Sequence, residues 1–261
     1  RIWGWRWFQR WRGRWELVGG STMTLEELVR RLRDVHGDTL YCVALYGSAA
    51  RGGVEHVADK SDYNVVVLVS SLSLEGLRKE SPVARAWRAA GNPPPLNLTL
   101  NEWRRCADIY PMEYADILQH HRILHGTLPL DGIRVDREHL RLQLESEAMS
   151  KLLRLRHAVL LAGDDRAEQL ALLESSVSAI MTLFRAYVRL HGETPPADSE
   201  ALAEQVGRQA GFDSAPITRV WRHLHKKEKL AGDAIPTTLA AYLRSVQAFV
   251  AHVDEFETSD V

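Results

Sequence analysis

The sequence predicts an α+β protein whose first half combines strands with helices and whose second half is all helical. Two apolar runs in the first half, residues 39–45 and 63–69, have the length and composition of buried strands. Residues 96–100 predict a third strand. In the second half, apolar residues recur at steps of three and four, which is typical of helices packed in a bundle.

The elements of the first half follow in a simple order. Thr24 is a suitable N-cap, apolar residues follow it at helical spacing, and Gly37 ends this first helix. A strand comes next, and the small and polar residues 48–60 then predict a loop or a short helix. After the second strand, residues 73–90 predict another helix, which Pro82 kinks or breaks.

The last part of the first half gives mixed signals. Residues 92–95, Asn-Pro-Pro-Pro, predict a rigid connector before the third strand. Asn101 is expected to cap a short helix that runs to Cys106. Residues 112–126 fit either a strand or a helix, and both alternatives stay open.

Three apolar stripes predict the long helices of the second half. We expect each stripe to face the core, because an amphipathic helix buries its apolar side. Shorter helices are predicted at 198–210 and 215–230. The stripes consist of Met149, Leu152, Leu153, Val159 and Leu160; of Leu173, Val177, Ile180, Leu183, Phe184, Tyr187 and Val188; and of Leu239, Tyr242, Leu243, Val246, Phe249, Val250, Val253 and Phe256.

Residues 1–22 differ in kind from the rest of the chain, because five of the eight tryptophans and five arginines fall within their first sixteen positions. Such a segment could lie on an anionic membrane surface, stack on nucleic acid, or be translated sequence upstream of a start at Met23. We favour the last interpretation, since helix-like sequence begins directly after Met23. We therefore expect an atypical extension at 1–22, a first domain at 23–135 and a helical bundle at 136–261.

Composition is that of an ordinary globular protein, with 45% hydrophobic and 26% charged residues. The net charge of −1 argues against a non-specific nucleic-acid binder, which would carry a basic surplus. No apolar run is long enough to predict a transmembrane helix. Cys42 and Cys106 give neither a disulfide framework nor a metal spacing, and Cys42 is expected to be buried. We expect a cytoplasmic protein.

Two short motifs carry the functional prediction: Tyr-Gly-Ser at 46–48, after the first strand, and Ser-Asp-Tyr-Asn at 61–64, at the start of the second. A glycine lets the backbone approach a phosphate, and a serine hydroxyl with N–H groups at a helix start can hold phosphate oxygens. A carboxylate such as Asp62 at the edge of the next strand can hold Mg²⁺. Side chains 62 and 64 share a face if both lie on a strand.

In this order and context the motifs resemble the DNA polymerase beta superfamily of nucleotidyltransferases, whose pattern is Gly-Ser followed by Asp-x-Asp or Asp-x-Glu on the next strand. On this resemblance, Gly47 and Ser48 correspond to the phosphate-binding pair and Asp62 to the first metal-binding carboxylate. The resemblance implies a small mixed β-sheet flanked by helices for about residues 24–130. The helical second half resembles the C-terminal bundles of kanamycin-type and related bacterial nucleotidyltransferases.

One residue departs from the pattern. Asn64 stands where the second carboxylate belongs. Asparagine can offer a carbonyl oxygen to Mg²⁺, but it lacks the negative charge that a two-metal site uses beside a triphosphate. Three outcomes stay open: a slow or altered transferase, a site completed by another carboxylate, or a nucleotide-binding module without activity.

The resemblance also implies a third carboxylate, which acts on the acceptor hydroxyl as base or metal ligand. Glu113 is the first candidate, followed by Asp116 and Asp108, and the alternative is an exposed glutamate without a catalytic role. Residues 110–114, Tyr-Pro-Met-Glu-Tyr, together with Ile-Leu-His-Gly further on, look like a segment of uncharacterised bacterial nucleotidyltransferase-domain proteins. Arg51 could reach a phosphate, or could be a surface arginine.

Two other groups of residues were weighed as sites. His121 and His125 are four apart, a spacing that can bind zinc on a helix, but neither a zincin-type glutamate nor a cysteine accompanies them. We do not expect a zinc site. Residues 223–229 form a basic run, which is either a solvated helix face or a surface that attracts phosphate or an RNA end.

The sequence therefore predicts a nucleotidyltransferase that moves a nucleoside monophosphate from an NTP to an acceptor hydroxyl. The expected cofactor is Mg²⁺ or Mn²⁺, and the acceptor is a small molecule such as an aminoglycoside, a protein or a tRNA. The alternative is a weak or inactive nucleotide-binding module that acts as an antitoxin-like partner. No membrane partner is expected, and a homodimer is compatible with the sequence. The predicted residues are Asp62 and Glu113 for catalysis, Gly47, Ser48 and Arg51 for nucleotide binding, and Asp62 and Asn64 for metal.

Overall fold

A mixed sheet lies at the centre of the first half of the chain in the computed structural model, which describes residues 23–51 and 63–256. Its strands are β1 Leu40–Tyr46, β2 Asn64–Val69, β3 Leu96–Thr99 and β4 His121–Gly126. Within these described ranges the sheet has four strands in the order β3-β2-β1-β4. β1 pairs antiparallel with β2 and with β4, whereas β2 and β3 run parallel. The expected α+β fold with a small mixed sheet is confirmed.

The two central strands are buried because their side chains are almost all apolar. Residues 65–69 of β2 are buried in succession, as predicted for a strand covered on both faces. Cys42 in β1 is fully buried, and this burial raises the pKa of its thiol to about 11. The expectation that Cys42 serves as a small core residue is confirmed.

Helices of the first half begin and end at recognisable caps. The Thr24 hydroxyl accepts the first helix's Glu27 N–H at 3.2 Å, and Gly37 ends that helix with a positive φ of 52°. Thr99, and not Asn101 as predicted, caps the fourth helix, because Thr99 and Glu102 form a reciprocal capping box. These helices are α1 Leu25–His36, α2 Ser48–Arg51, α3 Leu74–Ala89, α4 Leu100–Arg105 and α5 Pro111–Gln119.

Residues 112–126, which fitted either type of element, contain both. Helix α5 ends at Gln119 and β4 follows almost at once. Pro82 lies within α3, which continues to Ala89 and is therefore not broken there.

The second half is helical, as expected. Its helices are α6 Arg137–Ala162, α7 Arg166–Leu190, α8 Ser199–Gln209, α9 Ala215–Leu224 and α10 Ile235–Asp254. The helix predicted to extend to residue 230 stops at Leu224. Lys226 has a positive φ of 57°, a backbone conformation that cannot continue a right-handed helix.

Two of the three apolar stripes face the core as predicted, and the α6 stripe does so only through Leu152, which is buried, and Val159, which is partly buried. The stripes of α7 and α10 are buried apart from Leu243, which is partly buried. On α6, however, Met149, Leu153 and Leu160 are exposed. The buried residues of α6 include Leu144, Ala148, Leu152 and Leu155, which repeat with the same helical spacing. Periodicity alone could not decide which of the two apolar sides of α6 faces the core.

Among the described residues, α7 is long and apolar enough to cross a membrane by length and composition. In the structure, 56% of its apolar window is buried against other parts of the protein. Phe184, Tyr187 and Val188 of α7 belong to the apolar cluster of the second half. We therefore assign α7 as a core helix.

The chain divides into two compact units, each with its own apolar core. The first unit contains the described residues up to Cys106 and Asp116–Ile133. The second contains Ala107–Ala115 and the described residues from Arg134 onward. The first residues of α5 therefore belong to the second unit, and its last residues belong to the first unit.

Candidate functional site

Gly47 forms the turn between β1 and α2. Its φ is +78°, in the left-handed region that favours glycine. Its carbonyl accepts hydrogen bonds from the N–H groups of Ala50 at 3.1 Å and Arg51 at 3.3 Å, so the short helix starts directly at the turn. A Cβ atom at position 47 would lie 3.0 Å from Nδ2 of Asn64. The positive φ therefore favours glycine here, and a side chain at this position would also press against the Asn64 amide.

Asn64 lies beside this turn because β1 and β2 are antiparallel. In the register of the two strands, Asn64 is opposite Tyr46, the residue before Gly47. Gly47 of the first motif and Asn64 of the second therefore meet at one end of the central strand pair. Ser48 is the first residue of α2, so its hydroxyl also belongs to this turn.

The entry to β2 is fixed by two contacts that the sequence analysis missed. The Tyr63 N–H donates to Oδ1 of Asn92 at 3.0 Å, and the Tyr63 ring stacks on Trp87 with centroids 6.1 Å apart. Trp87 is fully buried, and Asn92 is buried as well. An asparagine placed directly before three prolines was the available signal, because the prolines hold it in one position.

Asp62 and Ser61, the remaining residues of the second motif, lie outside the described residues. Strand β2 begins at Asn64, two positions later. The roles of Asp62 as catalytic residue and metal ligand, and the shared face of residues 62 and 64, stay predictions.

Arg51, a candidate phosphate ligand, and Asp116, a candidate for the third carboxylate, form an ion pair in the structure. Nη1 of Arg51 donates to Oδ1 of Asp116 at 2.8 Å, and the two side chains are 17% and 15% exposed. Both residues belong to the first unit. Arg51 is thus a partly buried, ion-paired residue, and its guanidinium group has five N–H donors in total. Binding of a phosphate by Arg51 stays a prediction.

Glu113 lies in the first turn of α5 and belongs to the second unit, as does its polar partner Gln143. Its Oε2 accepts a hydrogen bond from Nε2 of Gln143 at 2.9 Å, and Oε1 of Gln143 accepts from the Met112 N–H at 2.8 Å. Gln143 therefore links α6 to the start of α5. Gly47, Ser48 and Asn64 belong to the first unit, so the catalytic role of Glu113 stays a prediction. Asp108, the third candidate, is exposed in a short 3-10 turn.

His121 and His125 lie on β4, so the helical spacing considered for zinc does not apply to them. Nδ1 of His121 donates to the Ile117 carbonyl at 2.7 Å. Within residues 23–51 and 63–256, no group of three or more His, Cys, Asp or Glu side chains could hold a metal. Asn64 supplies one neutral oxygen, so the predicted Mg²⁺ site depends on the carboxylate of Asp62.

Two residues of the basic run at 223–229, His223 and Lys227, contact acidic side chains. Lys227 and Arg222 both contact Glu200, at 3.0 and 2.6 Å, and Nε2 of His223 lies 3.4 Å from Glu174. Hydrogen bonds from Arg222 and then Lys227 lower the pKa of Glu200. These contacts favour a solvated, ion-paired surface over a phosphate-binding one.

Neither a protein-family model nor a curated protein matches this chain.

Proposed function

We propose that this chain is a nucleotidyltransferase of the DNA polymerase beta superfamily type, with its nucleotide site at the Gly47 turn. The observation that carries the proposal is the meeting of the two motifs, since Gly47 approaches Asn64 so closely that a Cβ atom would lie 3.0 Å from the amide. Glycine at this turn lets a phosphate group approach the backbone N–H groups closely, with the Asn64 amide beside it. The Ser48 hydroxyl would donate to the same group.

The proposed reaction is a transfer at the α-phosphorus of an NTP. The acceptor hydroxyl oxygen forms a bond to that phosphorus, the bond to the bridging oxygen of the β-phosphate breaks, and pyrophosphate leaves. A carboxylate takes the hydroxyl proton, and Glu113 remains the first candidate for this role. Mg²⁺ or Mn²⁺, when bound, would offset the charge of the triphosphate. Asp62 and the Asn64 carbonyl would hold it.

The proposal also covers location and acceptor. We place the protein in the cytoplasm, where NTP is abundant and both cysteines stay reduced. The acceptor class is a hydroxyl of a small molecule, a protein or a tRNA.

Transfer activity tests the proposal directly. The protein is incubated with each labelled NTP, Mg²⁺ or Mn²⁺ and a panel of hydroxyl acceptors, and labelled product is measured. Asp62→Ala is expected to lower the rate by at least about 100-fold, because it removes the one anionic metal ligand. Asp38→Ala, which removes an exposed carboxylate of the first unit, is the matched control and should leave the rate unchanged. Full activity in Asp62→Ala would refute the assignment.

A nucleotide-binding module without turnover is the second candidate, and Asn64 is the residue that favours it. A neutral amide beside Gly47 can donate to a phosphate oxygen, but it adds no negative charge for a second metal. Asn64→Asp distinguishes the two functions. A sharp rise in transfer rate supports the enzyme, whereas saturable NTP binding without turnover in both forms supports the module.

A further inference from the structure

Helix α6 carries an apolar stripe on the side that points away from its own core. The stripe consists of Leu142, Met149, Leu153 and Leu160, whose exposed fractions are 49%, 40%, 46% and 78%. Because an α-helix turns about 100° per residue, these four side chains lie within about 40° of one another. Leu144 and Leu155, which are buried in the core of the second unit, lie on roughly the opposite side. α6 is therefore apolar on two sides, and only one is covered.

The spacing of the stripe is symmetric. Its members are separated by seven, four and seven residues, so the pattern is the same in both chain directions. The midpoint lies at about position 151. At a rise of about 1.5 Å per residue the stripe extends about 27 Å, five turns of helix. Such spacing is that of a seam between two helices, since apolar residues at steps of three, four and seven pack in this way.

Charged side chains beside the stripe differ between its two halves. Glu138 and Glu145 flank the first half, and their side chains are 49% and 36% exposed. The exposed residues Arg156 and His157 flank the second half. Arg141 binds both glutamates along the same helix, at 3.0 and 2.8 Å. Arg156 beside the second half therefore carries the charge opposite to that of Glu145 beside the first half.

We propose that the stripe is a homodimer interface in which α6 packs antiparallel against α6 of a second copy. An antiparallel arrangement brings Leu142 opposite Leu160 of the partner and Met149 opposite Leu153 of the partner. It also brings Glu145 close to Arg156 of the partner. A two-fold axis that passes through the seam at position 151 maps this contact onto itself, as an isologous interface requires. This interface is independent of the proposed nucleotide site.

The charges beside the stripe favour a second copy over a membrane surface, and an antiparallel over a parallel arrangement of the two helices. In a parallel pair, position 145 is level with position 145 of the partner and about 16 Å along the helix from Arg156, so these opposite charges do not meet. An anionic membrane surface would meet Glu138 and Glu145 at one end of the stripe, which opposes binding there. A second copy in the antiparallel direction covers the apolar stripe and brings Glu145 of each copy close to Arg156 of the other.

Sedimentation equilibrium of the full chain tests the interface. We expect a dimer, and we expect Leu142→Glu and Leu153→Glu each to weaken it at least tenfold. Both positions are exposed in one copy, so folding should be retained, and circular dichroism checks this. Leu74→Glu, at a 66% exposed leucine of the first unit, is the matched control and should not change the dimer. A chain that is monomeric at all concentrations, or a dimer that both stripe variants leave intact, overturns the proposal.

Cysteine crosslinking tests the direction. In a Cys106→Ser background, Leu142→Cys and Leu160→Cys chains are made separately and then mixed under mild oxidation. The antiparallel pair predicts a disulfide between the two different variants and none within either variant alone, because identical positions lie about 27 Å apart. Crosslinks of Leu142→Cys chains to each other would overturn the antiparallel arrangement. If removal of residues 1–22 converts a monomer to a dimer, the stripe is covered by that segment instead, and the proposal is also wrong.

Discussion

The two units of this protein differ in what they bury. The core of the second unit is built around aromatic rings, with Phe249 in contact with Phe184, Tyr187 and Phe212 at centroid distances of 4.9, 5.6 and 6.1 Å. The first unit also has an apolar core, but it buries a carboxylate among polar partners as well. The stability of an aromatic core depends on the fit and the apolar area of its side chains. The stability of a buried polar cluster depends on every hydrogen-bond partner being present.

The polar cluster of the first unit joins three elements. Oε2 of Glu80 in α3 lies 3.0 Å from Nε2 of His36 at the end of α1. Nδ2 of Asn97 in β3 donates to both Glu80 oxygens at 2.8 Å. The His36 and Glu80 side chains are only 5% and 3% exposed. Glu80 therefore has two partners that would lose their hydrogen bonds together.

The largest expected effect of a single substitution is in the second unit. Phe249→Ala removes the ring that three other rings contact, and should lower the unfolding free energy of that unit by about 4 kcal/mol. Hydrogen–deuterium exchange of peptides from α7 and α10 measures this, with an expected loss of protection of about 1,000-fold. Peptides of the sheet should change much less, because each unit has its own core.

A control for this prediction is available on α6. Leu161→Ala removes an apolar side chain of the same unit that is 89% exposed, and should cost less than about 0.5 kcal/mol. If Phe249→Ala were equally mild, the aromatic cluster would not be the stabilising centre of the second unit.

The next effect in size is in the first unit. Glu80→Ala leaves His36 and Asn97 buried without their carboxylate partner, which should cost about 3 kcal/mol. The measurement is exchange in peptides from α1, α3 and the sheet. Glu75→Ala, on the same helix but at a 77% exposed side chain, provides the comparison and should have little effect. An equal result for both variants would show that the polar cluster contributes no more than a surface ion pair.

This comparison also explains which features the sequence could predict. Long apolar stripes such as that of α7 identify core helices, because only burial explains seven apolar residues on one side. The cluster around Glu80 has no such signal, since residues 36, 80 and 97 are far apart in the chain and each is an ordinary polar residue. At the candidate site, local spacing predicted a turn at Gly47 and a strand over residues 63–69, which the structure begins at Asn64. The pairing of Arg51 with Asp116 depends on tertiary structure and could not be predicted from spacing.

The smallest expected effect concerns the response of the second unit to acid. Burial, and to a lesser extent the nearby His191, lower the pKa of His252, while Glu255 partly opposes them. Nε2 of His252 also lies 2.8 Å from the Tyr187 hydroxyl. The unfolded chain therefore binds a proton at His252 more readily than the folded chain. The stability that neutral His252 gives to the second unit should be fully present above the ordinary histidine pKa of 6.5. It should decrease as pH falls below that value.

Urea unfolding between pH 7.5 and about 5 measures this response in the wild type and in His252→Gln. Other histidines also titrate in this range, so the informative quantity is the difference between the two proteins. We expect the unfolding midpoint of the wild type to fall more steeply with acid than that of His252→Gln, since glutamine stays neutral throughout. Parallel curves for the two proteins would show that the environment of His252 does not disfavour its charged form.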